Sequence, residues 1–446
     1  MHRLLTALGV LTVLAGAPAA PAASAAPAEP RYDLDLDFDA AAHAVSGTQR
    51  ISFINDGSTA LRSVWLRVWA NGPRGCLTRG VSVRLAAGAR AGRSAASCTA
   101  LEARLSRPLR PGARSSITLA LRLVAPARPD ERFARARGAS SFANALPVLA
   151  VRDAGGPDLS PWVGNRAESF HSAAARWRVA VTAPRRMRAV MTGQTTGERR
   201  RGARVTTTST ALARDFALAV GPFRPVAQQH GGVLVRFWRL PDTQELHARR
   251  AVSDAVTAMR LFDRWGAYPG RELDLVDSNL AMEYPELVLT GTSAYTVVHE
   301  VAHQWFYGLV GNDQYAHPWL DESLSSYATG LALRAIEMPD AAESRTGDGG
   351  CRTARGGEAG RPMSYWRTRA AEYGPVVYGQ GECAFIRLEV ALGRQRFDAA
   401  LRRYVARHRF GIARPADLRA AFAANGDTPG LAELDSAFGL AAEAAG

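Results

Sequence analysis

The feature that most constrains this chain is a change in hydrophobic period partway along it. From Arg31 the residues alternate strictly, with Tyr32, Leu34, Leu36 and Phe38 separated by Asp33, Asp35 and Asp37, so a strand here buries one face and wets the other. The alternation explains the aspartates without a bound cation, since no loop glycine follows them as a calcium loop requires. Further short runs of this kind ("TQRISFIND", "SVWLRVWANG", "RWRVAVTAP", "ARVTTTST", "RDFALAVGPF") are separated by Gly, Pro, Asn and Asp, which predicts an antiparallel β-rich domain up to about residue 225. The segment 221–232, "GPFRPVAQQHGG", reads as a joint. Beyond it Ala251, Val252, Ala255, Ala258, Met259 and Phe262 recur at helical spacing, with Asp242 or Thr243 as the cap and Gly266 as the stop. A short strand, "ELDLVDS", and helices over about 296–309, 320–337, 380–392 and 395–408 follow, giving a mostly helical second domain over 226–446. The fold class expected is therefore multidomain α+β, which suits a chain of 446 residues, more than one hydrophobic core usually organises.

Residues 1–25 stand apart. Arg3, an apolar stretch from Leu4 to about Ala15, and the small residues Ala23-Ser24-Ala25 have the layout of a secretory signal peptide. The expected location is thus outside the cytoplasm, and no later stretch approaches the roughly 20 apolar residues that span a bilayer. Cys76, Cys98, Cys351 and Cys383 fit an oxidising compartment, and proximity along the chain favours pairing Cys76 with Cys98 and Cys351 with Cys383. The Gly/Arg-rich stretch between the later helices, 343–362, reads as an exposed loop that Cys351 could tie down.

The formal net charge is +14, and every basic residue is arginine. The arginines are scattered rather than interleaved with aromatics and no nucleic-acid motif is present, so a solvated basic surface is expected, suited at most to weak association with an anionic cell surface.

Chemistry concentrates in "TVVHEVAHQWFYG", 296–308. Val298, Val301, Ala302, Trp305 and Leu309 form the core stripe of a helix, while His299 and His303, four residues apart, stack on a neighbouring face where two imidazoles reach one metal ion. Glu300 projects about 100° round the helix from His299, beside the metal rather than on it, where a general base acting on an activated water belongs. Catalytic zinc takes three protein ligands, so a third is needed. The second helix expected near Trp319 or Leu320 carries two carboxylates in its first turn, Asp321 and Glu322, and the spacing leaves both open.

His-Glu-x-x-His, eighteen further residues, and a Glu within "WLDES" resemble the zinc signature of the aminopeptidase N family of metallopeptidases. The resemblance implies Glu322 as the third zinc ligand. It also implies a saddle-shaped N-terminal β domain followed by a thermolysin-like catalytic domain. "AMEYPELV" (281–288) is similar to the family's Gly-Ala-Met-Glu-Asn segment, which casts Glu283 as the carboxylate that holds a substrate's free α-ammonium. "VYGQGECAFIRLEVALGRQRF" (377–397) is similar to its Tyr-x-Lys-Gly segment, which casts Tyr378 as the oxyanion stabiliser, with Tyr373 the alternative. Departures are plain: Tyr284 stands for the family's Asn, Gln380 for its Lys, and the N-terminal-domain glutamine that helps hold the amino group has no clear counterpart. The function implied is a secreted zinc-dependent aminopeptidase acting on peptides with a free N-terminus. The competing readings are a zinc endopeptidase of the same mechanism and a silent peptide- or cell-wall-binding protein.

Overall fold

The computed structural model describes residues 30–128, 132–153, 155–164, 169–336, 351, 358–424, 426 and 428–440. The expected signal peptide and most of the 343–362 loop lie outside these residues.

The alternating segments build sheets as their pattern requires. Arg31–Asp39 is buried at every second residue. It sits in the middle of a seven-stranded sheet ordered 194–201, 204–213, 175–184, 31–39, 44–54, 114–124, 81–87. One pairing departs from the antiparallel expectation: Arg31–Asp39 runs parallel to Ala175–Pro184. Inward-facing Leu34, Leu36, Phe38, Ile51, Ile117, Leu119, Trp177 and Val179 share one core with Leu66 and Ala103 from a four-stranded sheet. Tyr32 stacks on Trp177 with ring centroids 4.1 Å apart and accepts a hydrogen bond on its hydroxyl from the Leu149 N–H. Cys76–Cys98 and Cys351–Cys383 are both disulfide-bonded.

The joint expected over 221–232 is a strand instead. Arg224–His230 is the edge of a five-stranded sheet ordered 224–230, 233–239, 272–277, 287–290, 282–284. Pro225 is tolerated there because an edge strand has one unpaired side, which leaves room for a residue with no N–H. Polar residues along this strand concealed it from the period-based reading. At the opposite edge, Met282–Tyr284 runs antiparallel to Leu287–Thr290.

Helix α1 (Glu245–Phe262) buries Ala251, Val252, Ala255, Ala258, Met259 and Phe262. It is not capped as expected: Gln244 is its N-cap, while Asp242 and Thr243 accept bonds from Arg137. Helix α2 (Ala294–Ala302) and helix α3 (Trp319–Ala335) pack in the same core as α1. They are followed by α4 (Gly381–Leu392) and α5 (Arg394–His408). A separate apolar cluster, including Ala143, Val190, Phe223, Leu240, Val276, Tyr284 and Leu289, joins the β-rich half to the second half directly behind the edge strand Met282–Tyr284.

Candidate active site

Helix α2 ends seven residues earlier than its apolar stripe suggests. After Ala302 the chain widens into bonds from the Gly308, Leu309 and Val310 N–H groups to the carbonyls of His303, Gln304 and Trp305. Tyr307 takes a positive φ of 137°, and its carbonyl accepts from the Arg214 Nε at 2.5 Å. Trp305 and Leu309 are still fully buried, so the apolar pattern reports the core correctly although the helix has stopped. His299 therefore lies in the last turn and His303 at the C-cap.

The structure brings His299, His303 and Glu322 together. His299 Nε2 is 3.2 Å from Glu322 Oε2 and 3.2 Å from His303 Nε2, and His303 Nε2 is 3.4 Å from Glu322 Oε2. A tetrahedral zinc site with bonds of about 2.0–2.1 Å has edges of about 3.3–3.4 Å. The tautomers agree with this geometry. His303 Nδ1 lies 3.0 Å from the Phe306 carbonyl, which only accepts, so Nδ1 carries the proton. His299 Nδ1 lies 3.2 Å from the Thr329 hydroxyl, whose own proton goes to the Ser325 carbonyl at 2.7 Å. Both Nε2 lone pairs thus face Glu322, and three lone pairs aimed at one point call for a cation. The charge balance points the same way. Burial opposes it, yet Glu322 raises the His303 imidazole well above its ordinary value, with Glu283 and Glu300 adding to the pull. Two imidazoles and one carboxylate, with backing on the far nitrogens, fit Zn²⁺.

Asp321, the competing carboxylate, points elsewhere: its oxygens accept from Asn312 Nδ2 at 3.2 Å and Gln314 Nε2 at 2.8 Å. Glu300 is buried, and its Oε2 has no hydrogen-bond partner. Burial, reinforced by Glu283 and Glu322, pushes its carboxyl well above the usual range. Glu283, Glu300, His299, His303, Glu322 and Tyr378 all line one cavity of about 570 Å³. Tyr378, in a π-helical turn spanning Gly374–Gln380, stacks on the His299 ring at 5.6 Å, whereas Tyr373 is buried beneath it and does not line the cavity.

The altered Met-Glu-Tyr-Pro segment has a simple geometry. Strand alternation sends Glu283 to the cavity and Tyr284 into the junction between the two halves, where its hydroxyl donates to Asn144 Oδ1 at 2.9 Å. Asn144 also accepts from Arg132 and donates to Asp215, so Tyr284 anchors the strand from behind.

Four contributors escaped sequence reasoning. Thr329 lies two helical turns from Glu322 and could have been found by that spacing. Tyr295 stacks on the His299 ring at 5.8 Å, one turn before it. Gln314 and Asn144 sit in irregular segments whose position no periodicity encodes.

Residues 290–436 match the peptidase family M1 domain. Over these residues the chain is similar to the M1 peptidases. The M1 domain so bounded contains the histidine pair, Glu300, Glu322 and Tyr378, with Glu283 just ahead of it. Among curated relatives, aminopeptidase M1-B of Oryza sativa subsp. japonica is 29% identical over 154 residues, 31% of this chain and 17% of the relative. Aminopeptidase N of Lactobacillus delbrueckii subsp. lactis is 29% identical over 170 residues, 35% of this chain and 19% of the relative. The aligned stretches thus span about a fifth of those relatives' own length. The M1 zinc metallopeptidase of Deinococcus radiodurans shares the fold across 93% of this chain and 94% of its own, with a TM-score of 0.64 at 19% identity.

Proposed function

We propose that this chain is a secreted zinc aminopeptidase that hydrolyses the first peptide bond of peptides with a free amino terminus. The observation that carries the reading is the convergence of His299 Nε2, His303 Nε2 and Glu322 Oε2 at the edge lengths of a tetrahedral site. When bound there, zinc supplies Lewis acidity, polarising a carbonyl and lowering the pKa of water toward about 7.

The chain's own residues divide the remaining work. Glu300, made more basic by burial, takes a proton from the attacking water and passes it to the leaving amine. Tyr378 donates its hydroxyl proton in a hydrogen bond to the oxygen that turns negative at the tetrahedral stage. Glu283 pairs with the substrate's α-ammonium, whereas an acylated terminus leaves this buried carboxylate without a counter-charge. Its strand, Met282–Tyr284, is a sheet edge on the cavity wall, so an extended peptide can add to it as a further strand. A mutant of the Deinococcus radiodurans metallopeptidase, 18% identical with a TM-score of 0.64, binds a Tyr-Ser-Ala substrate.

Secretion is supported by the leader-like residues 1–25 and by two disulfides, which persist in oxidising compartments. No helix among the described residues is long and apolar enough to cross a membrane. The deciding experiment compares a free-amino aminoacyl fluorogenic amide with its N-acetyl counterpart, with and without chelator. Turnover of the free amine far above that of its N-acetyl counterpart, abolished by chelator and restored by zinc, is expected. Equal cleavage of both makes the protein an endopeptidase, and peptide binding without turnover makes it a binding protein.

A further inference from the structure

Gln314 occupies an unusual position for a neutral side chain. It is 0% exposed and lies between two carboxylates, with Nε2 3.2 Å from Glu283 Oε1 and 2.8 Å from Asp321 Oδ2. A carboxylate only accepts, so the amide presents its NH₂ to the pair and gives one proton to each acid. Asp321 immediately precedes Glu322, and its Oδ1 lies 3.0 Å from the Glu322 backbone nitrogen. The amide thereby closes a hydrogen-bonded path from the edge strand Met282–Tyr284 to the first turn of α3. Those two elements carry the two ends of the site, the amine-docking carboxylate and the third member of the metal-binding trio.

The backbone that delivers Gln314 is held independently of Glu283. The Gly311 N–H donates to the Gly411 carbonyl, the Ala413 N–H donates to the Gly311 carbonyl at 2.6 Å, and the Gln314 N–H donates to the Phe170 carbonyl at 3.2 Å. A Cβ on Gly311 would meet Arg214 Nη1 at 1.8 Å, so the loop is seated hard against the β-rich half. His171 Nδ1 lies 2.8 Å from Asp158 and 3.5 Å from Asp313, a further contact at the residue before Gln314. Glu283 meanwhile shares a cluster with Glu300 and His303 whose donor atoms lie within 4.8 Å of one another. The anchored amide fixes where the Glu283 carboxylate lies within that cluster.

We infer that Gln314 is a specificity-determining positioning residue, holding the Glu283 carboxylate one aminoacyl residue from the metal-binding trio and so setting where a substrate's amino terminus docks. This rests on the aminopeptidase reading above. In an aminoacyl amide the amine nitrogen and the scissile carbonyl carbon are separated by two bonds, about 2.5 Å. A drift of about 1 Å in Glu283 is a large part of that span and spoils the alignment of amine and carbonyl together.

The test uses Gln314→Met, similar in size but without a donor, measured on free-amino and N-acetyl aminoacyl amides alongside Glu283→Ala and the double variant. Expected is a rise in KM for the free amine of roughly ten- to a hundredfold, the worth of a hydrogen bond to a charged group. N-acetyl turnover and zinc per chain should be unchanged, and the double variant should be no worse than Glu283→Ala. Equal losses on both substrates, or losses that multiply in the double variant, overturn the assignment. Should Gln314→Met fail to fold, the isosteric Gln314→Glu serves, with a raised free-amine KM at full zinc content expected and an unchanged KM overturning the inference. Wild-type enzyme that does not discriminate against N-acetylation sinks the aminopeptidase reading itself. Discrimination that survives Gln314→Met intact sinks only the role of Gln314.

Discussion

The Thr329 hydroxyl stands 3.2 Å behind His299 Nδ1 and donates its own proton to the Ser325 carbonyl, so it can only accept from the ring. A neutral hydroxyl thus fixes the tautomer of His299, where a carboxylate would also have made the ring more basic. Thr329→Val keeps the shape and removes the acceptor. Zinc affinity, read by competition with a chromophoric chelator, should fall roughly ten- to a hundredfold. Thr329→Ser should retain wild-type affinity. Equal affinities for Val and Thr would mean the hydroxyl does not support the ligand.

Glu300 is in the site without being in the metal-binding trio, and its Oε2 lacks a hydrogen-bond partner. Glu300→Gln should therefore leave zinc content at one per chain while turnover of the free-amino amide drops by about 10²–10⁴, the usual worth of a positioned general base. Atomic emission and steady-state rates measured on the same preparation separate the two effects. Near-normal turnover in this variant would remove Glu300 from the mechanism.

Two adjacent carboxylates in one helix turn have different partners. Glu322 faces both imidazoles, and Asp321 faces two side-chain amides. Glu322→Ala should lower zinc per chain well below one after dialysis. Asp321→Asn should keep it. The reverse pattern would exchange their roles.

Asp215 lies in the junction between the two halves, where it accepts from Asn144 Nδ2 at 3.1 Å and from the Tyr307 hydroxyl. Burial pushes its carboxyl up to about 7 despite these bonds and the nearby Arg214 charge. Its unfolded value is about 3.9, so the folded state binds the proton more tightly. That contribution to stability is complete below about pH 4 and lost as pH climbs through about 7. Asp215→Asn keeps an acceptor for the tyrosine and does not titrate. The urea midpoint of the natural protein should fall relative to this variant between about pH 5 and 7.5, and parallel profiles would contradict the assignment.

Strands with one wet face and helices with an apolar stripe were legible because burial imposes a local period, as in Arg31–Asp39 and Glu245–Phe262. Arg224–His230 was not, because an edge strand with little to bury carries no such period. The stop of α2 after Ala302 was hidden for the opposite reason: Trp305 and Leu309 continue the stripe as core residues outside any helix.

By itself the sequence determined the order of the two architectures and the residues able to hold a metal, since His299 and His303 are bound to one face by helix geometry alone, and it favoured the disulfide partners by proximity. Only the tertiary structure shows what Asp321 and Glu322 each face, since they share a turn and differ in what lies across from them: side-chain amides for Asp321, the two imidazoles for Glu322. It also decided what holds Glu283. Gln314 reaches that carboxylate because a loop pinned at Gly311, Phe170 and His171 is folded against the edge strand, a long-range arrangement that leaves no trace in local spacing.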